Sequence, residues 1–87
     1  MKIKNGFVLV AMGDEHVAVA VDEAQTSFNG IMKMNKTGAW LWEQLKEDIT
    51  EEALVARMCE TYEGLDADTA KRDLEEYLGY IEPALER

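Results

Sequence analysis

Cysteine, histidine, proline and serine are almost missing from this 87-residue sequence, which holds one of each. With Cys59 alone, no intramolecular disulfide can form, and with His16 as the sole imidazole no zinc site of the usual Cys/His kind can be assembled. A Ser-His-Asp set would have to be drawn from Ser27 and His16, a coincidence too easily met by chance to carry catalysis. The six glycines are scattered, and no Gly-Lys-Ser/Thr follows any of them, so there is no phosphate-binding loop and no sign of a cofactor. Basic residues are outnumbered, nine Lys and Arg against 18 Asp and Glu, giving a formal charge of −9. Such a field repels phosphate backbones, and no polybasic segment is present to hold an anionic membrane. Nucleic acid and membrane are therefore not expected partners. Long apolar runs are lacking too. Residues 1–6 do not contain the apolar stretch of a signal peptide, and nothing approaches the ~20 apolar residues of a membrane span, so a cytoplasmic location is expected.

What the chain has is apolar matter for a core, 47% of its residues, in a length that fits one domain over residues 1–87. A core this small is marginal, and a stable partner or a homodimer would fit it. Its paired carboxylates, Glu51/Glu52 and Glu75/Glu76, do not form an acid–base site. Adjacent residues diverge by about 100° around a helix and face water. Catalytic residues, metal ligands and enzymatic activity are not expected.

The pattern centres on residues 30–42. Ile31 and Lys33 point to one side of a short alternating strand and Met32 and Met34 to the other. The strand runs directly into an amphipathic helix that Asn35 or Thr37 can cap. Upstream, an apolar run over residues 7–12, a Gly13-Asp14 turn and a valine-rich run over residues 16–21 predict a β-hairpin. Its faces differ in bulk, Val17, Val19 and Val21 against Ala18 and Ala20, and His16 is expected to lie exposed. Residues 22–29 read as a polar loop anchored by Phe28.

Downstream, Gly38, Leu41, Trp42 and Leu45 share one helical face, with Trp40 opposite, covering the sheet, partly exposed, or touching a partner. Thr50 caps a second helix with Glu51 and Glu52 in its first turn, Ile49 stapled to Leu54, and a buried stripe of Leu54, Val55, Met58 and Tyr62. Cys59 beside that stripe reads as a small core residue. Asp66 or Asp68 opens a third helix with Ala70, Leu74, Tyr77, Leu78 and Ile81 on one face. Gly79 weakens its end and Pro83 cannot continue it. The prediction is an α+β domain, β-β-β-α-α-α, with an antiparallel meander. The open edge of its last strand can accept an added peptide strand, with the third helix as the opposite wall. On that view Met32→Pro weakens peptide binding more than Met32→Leu.

The run Phe28-Asn29-Gly30-Ile31-Met32-Lys33-Met34-Asn35-Lys36-Thr37-Gly38-Ala39-Trp40-Leu41-Trp42 resembles the centre of the PqqD-like family, where a hydrophobic-Asn strand end leads into Thr-Gly-Ala and a tryptophan. Thr50-Glu51-Glu52-Ala53-Leu54-Val55, Tyr62 and Asp73-Leu74-Glu75-Glu76-Tyr77-Leu78 are similar to later motifs of the same family, in order and spacing over about residues 6–82. Gly79 and Pro83 depart from the family's longer last helix. The resemblance implies a winged-helix-like fold and a recognition element for ribosomally made, post-translationally modified peptides. Such an element is a chaperone that binds a precursor's leader and presents its core to a modifying enzyme, often a radical S-adenosylmethionine protein. It implies leader addition along Ile31, Met32, Lys33 and Met34, against Ala70, Asp73, Leu74 and Tyr77. The alternative from another class is a winged-helix DNA-binding or regulatory domain. Against it, the third helix exposes Asp73, Glu75 and Glu76 beside Lys71 and Arg72. A third reading is an oligomerisation subunit that pairs with itself through the same edge.

Overall fold

A computed structural model describes residues 1–21 and 30–87, and the loop expected at residues 22–29, with Phe28, lies outside the described residues. Strand β1 (Lys2–Ile3) is followed by β2 (Phe7–Met12) and β3 (Glu15–Ala20). Met12 faces Glu15 across the β2–β3 pair, so Gly13 and Asp14 alone make the loop. Gly13 has φ 65°, the left-handed conformation that a two-residue hairpin turn demands. Strand β4 (Ile31–Met34) pairs antiparallel with β3, giving the expected meander in the order β2-β3-β4.

The alanine face of the hairpin meets the core. Register places Leu9, Ala18 and Met32 in one row across the three strands, and Ala18 is completely buried. A small residue between two large ones lets a helix approach the middle of the sheet, where β-branched side chains would hold it off. The valine face lies on the other side of the sheet, where Val8 and Val10 are exposed while Val17 is buried. His16 shares the parity of Ala18 and is therefore drawn inward. It is half-buried rather than exposed, with an Nδ1 that has no hydrogen-bond partner.

Helix α1 (Lys36–Gln44) starts one residue after β4, and of the two cap candidates Asn35 serves: its side chain accepts from Gly38 N–H at 2.8 Å. Gly38, Leu41, Trp42 and Leu45 are all buried. Trp40 is half-buried and packs edge-to-face on Tyr62, ring centroids 5.5 Å apart. Helix α2 (Glu51–Thr61) is capped by Thr50, which accepts from Ala53 N–H at 3.1 Å, and Ile49 and Leu54 are buried as the staple requires. Leu54 and Met58 form the buried stripe, while Val55, Cys59 and Tyr62 are only half-buried.

Asp66, not Asp68, caps α3 (Ala67–Tyr80), accepting from Thr69 N–H at 2.8 Å. Ala70, Leu74, Leu78 and Ile81 point into the core. The helix runs through Gly79, and Pro83 sits in the 3-10 turn Glu82–Ala84 that follows. That turn delivers β5 (Leu85–Glu86) to pair antiparallel with β1, a second small sheet that no two-residue pattern could announce. Among the described residues no helix is long and apolar enough to cross a membrane, and no cluster of His, Cys, Asp and Glu could hold a metal ion.

Candidate functional site

Hydrogen-bond parity decides what β4 offers. Val21 N–H donates to the Gly6 carbonyl, one step beyond the Phe7–Ala20 pair. Odd-numbered residues of β3 therefore bond β2, and even-numbered ones bond β4. His16 and Ala18 face Met34 and Met32, so those methionines direct their N–H and C=O groups inward to β3. Ile31 and Lys33 direct theirs outward. Strand β4 ends the sheet order, and among the described residues no backbone group bonds the outer side of Ile31 or Lys33. No described backbone occupies the edge, although its Lys33 carbonyl accepts the Tyr80 hydroxyl at 2.8 Å.

Beside this edge lies a groove of about 740 Å³ between β4 and α3. Helix α3 contributes Asp73, Glu76, Tyr77 and Tyr80, spaced i, i+3, i+4 and i+7 along one face. Leu41, Met58 and Leu65 supply apolar lining from the other side. The lining carries Glu63, Asp73 and Glu76 against Lys33, and none of the three carboxylates forms an ion pair among the described residues. The groove is acidic, with an apolar base.

Tyr77 ties the wall to the start of α1. Its hydroxyl donates to the Gly38 carbonyl at 2.8 Å, with Met34 Sδ alongside at 3.5 Å. Burial, reinforced by the neighbouring Tyr80, pushes the Tyr77 phenol well above its ordinary pKa, so the hydroxyl remains a donor at physiological pH. Gly38 makes this approach easy. A Cβ there would meet Met34 Cβ and Tyr77 Cε1, each at 3.2 Å. Overpacking of this kind costs roughly 1–3 kcal/mol, against about 1 kcal/mol returned by alanine's better helix propensity. Gly38→Ala is accordingly expected to lose about 1 kcal/mol net in urea denaturation and to shift the Tyr77 ring resonances; an unshifted ring with unchanged stability would refute the close contact.

The residues expected from sequence divide into two groups. Lys33, Met34, Asp73 and Tyr77 line the groove, and Ile31, 57% exposed, lies on the open edge. Met32, Ala70 and Leu74 do not line it: each is buried, facing α1 or the helical core. The reason is angular. On α3 the core stripe and the groove stripe are adjacent, and Tyr77 sits at their boundary. Glu76 and Tyr80 are the wall residues that sequence reasoning missed; the spacing of Asp73, Glu76 and Tyr80 about Tyr77 was the signal.

Among family models, the one described as "Coenzyme PQQ synthesis protein D (PqqD)" matches residues 8–82. Among solved structures, "TbiB1 in Complex with the TbiA(beta) Leader Peptide" superposes with a TM-score of 0.74 at 28% identity, covering 94% of this chain and 88% of that one. No curated protein matches.

Proposed function

The chain belongs to the family of coenzyme PQQ synthesis protein D, and from that membership we propose that it is a non-catalytic peptide-binding module, one domain over residues 1–87. It binds the leader region of a ribosomally synthesised precursor by strand addition to β4 and presents the remainder to a modifying enzyme of the radical S-adenosylmethionine class. The observation that carries this reading is the outward row of donors and acceptors at Ile31 and Lys33, unpaired by any described backbone and flanked by a groove. An added strand takes its affinity from such a row and its specificity from the adjoining pockets. Support also comes from TbiB1, similar over most of its length, whose structure holds a leader peptide.

In this arrangement Ile31 and Lys33 bond the guest backbone, while Met34, Asp73 and Tyr77 meet its side chains. Met32, Ala70 and Leu74 hold the two walls in place from the core. The test is a selection of random peptides of about a dozen residues displayed on phage, followed by titration of the isotopically labelled protein with the best binder. Amide shifts confined to residues 31–35 and the groove face of α3 are expected. Shifts centred elsewhere, or no binder at all, would overturn the proposal.

A further inference from the structure

We propose that Tyr80 is a latch, closing the β4 edge in the free protein and displaced when a peptide strand adds. The inference rests on the peptide-binding reading above and concerns the regulation of that same site. Tyr80 lies in the last turn of α3, and its hydroxyl donates to the Lys33 carbonyl at 2.8 Å. Parity makes that carbonyl one of the outward acceptors of β4. The phenol therefore crosses from one wall of the groove to the other and holds the acceptor that a guest N–H needs.

Spacing makes the two occupants competitors. Neighbouring strands run about 4.8 Å apart, and a hydroxyl oxygen 2.8 Å from an outward carbonyl stands inside that interval. Release is nevertheless cheap. Tyr80 is 50% exposed, so water can satisfy both the freed phenol and, until the strand arrives, the carbonyl. A covered edge also resists pairing with a second copy of the chain, the standing hazard of exposed strands. The latch thus lowers affinity for every guest by a fixed factor while protecting the empty site.

Tyr80→Phe removes only the hydroxyl. In the free protein the Lys33 carbonyl carbon resonance is expected to move while the rest of the sheet stays in place; a resonance that does not move overturns the latch. The best phage-selected peptide is then expected to bind Tyr80→Phe about three- to tenfold more tightly than the parent, the range of one neutral hydrogen bond. Equal or weaker binding, with peptide shifts still at residues 31–35, would overturn the latch and leave peptide binding standing. A selection that yields no binder on the parent overturns the peptide-binding reading and the latch with it.

Discussion

Lys33→Pro is expected to weaken peptide binding by about one to two orders of magnitude and leave the domain folded, whereas Met32→Pro, one residue away, is expected to unfold it. The contrast follows from parity. Lys33 N–H points away from β3, so proline there breaks no bond of the sheet, and edge strands tolerate proline on their solvent side. It does delete a donor that the guest strand needs and sets a ring in its path, leaving a guest carbonyl unsatisfied at a cost of roughly 1–3 kcal/mol. Met32 N–H points inward to Ala18, and its side chain is 4% exposed. Proline at Met32 removes a ladder bond and vacates much of a core position, together roughly 5–8 kcal/mol against the roughly 4–13 kcal/mol typical of 87 residues. The expectation that Met32→Pro probes strand addition is thereby corrected: it probes folding. Lys33→Val, which keeps the N–H, is the control for the lost charge. Circular dichroism reports the fold and fluorescence titration with a selected peptide the affinity; loss of binding in Met32→Pro with the fold preserved, or full binding by Lys33→Pro, would contradict the assignment of the edge.

That correction marks where the sequence stops being legible. Alternation in Ile31-Met32-Lys33-Met34 tells which side chains share a face, but not which backbone groups are already engaged, because that depends on the register against β3. Caps are legible because their chemistry is local, outright for Thr50 and as one of two candidates for Asn35 and Asp66, each of which accepts from an N–H three residues on. So is the hairpin, through Gly13-Asp14. The α3 core stripe was legible from its period, yet the same period could not separate it from the groove stripe one step around the helix. Asp73 and Tyr77 belong to the groove and Leu74 to the core, although they are neighbours in the chain. The pairing of β1 with β5 joins opposite ends of the sequence through two residues each, too few to show a pattern. His16 follows the same logic. A polar residue at a strand start reads as exposed until the register commits its parity to the inner face.

Trp42→Ala carries the largest expected loss of stability from a single side chain. Trp42 is 1% exposed and packs where the alanine face of the sheet admits α1, in one cluster with Leu45, Leu54, Leu74 and Ile81. Truncating a buried tryptophan costs about 3–5 kcal/mol, because the transfer energy is lost and the surroundings only partly collapse into the cavity. For 87 residues a total stability of roughly 4–13 kcal/mol is typical, so the loss takes from about a quarter of it to all of it. Trp40, two residues earlier, is the internal comparison. It is half-buried against Tyr62, and Trp40→Ala is expected to lose clearly less. Urea unfolding separates the two: Trp42→Ala should lower the midpoint by on the order of 2 M with little change in slope. A smaller drop for Trp42→Ala than for Trp40→Ala would mean that α1 presents its other face to the sheet. The groove, whose Gly38 contact depends on that orientation, would then lose its geometry.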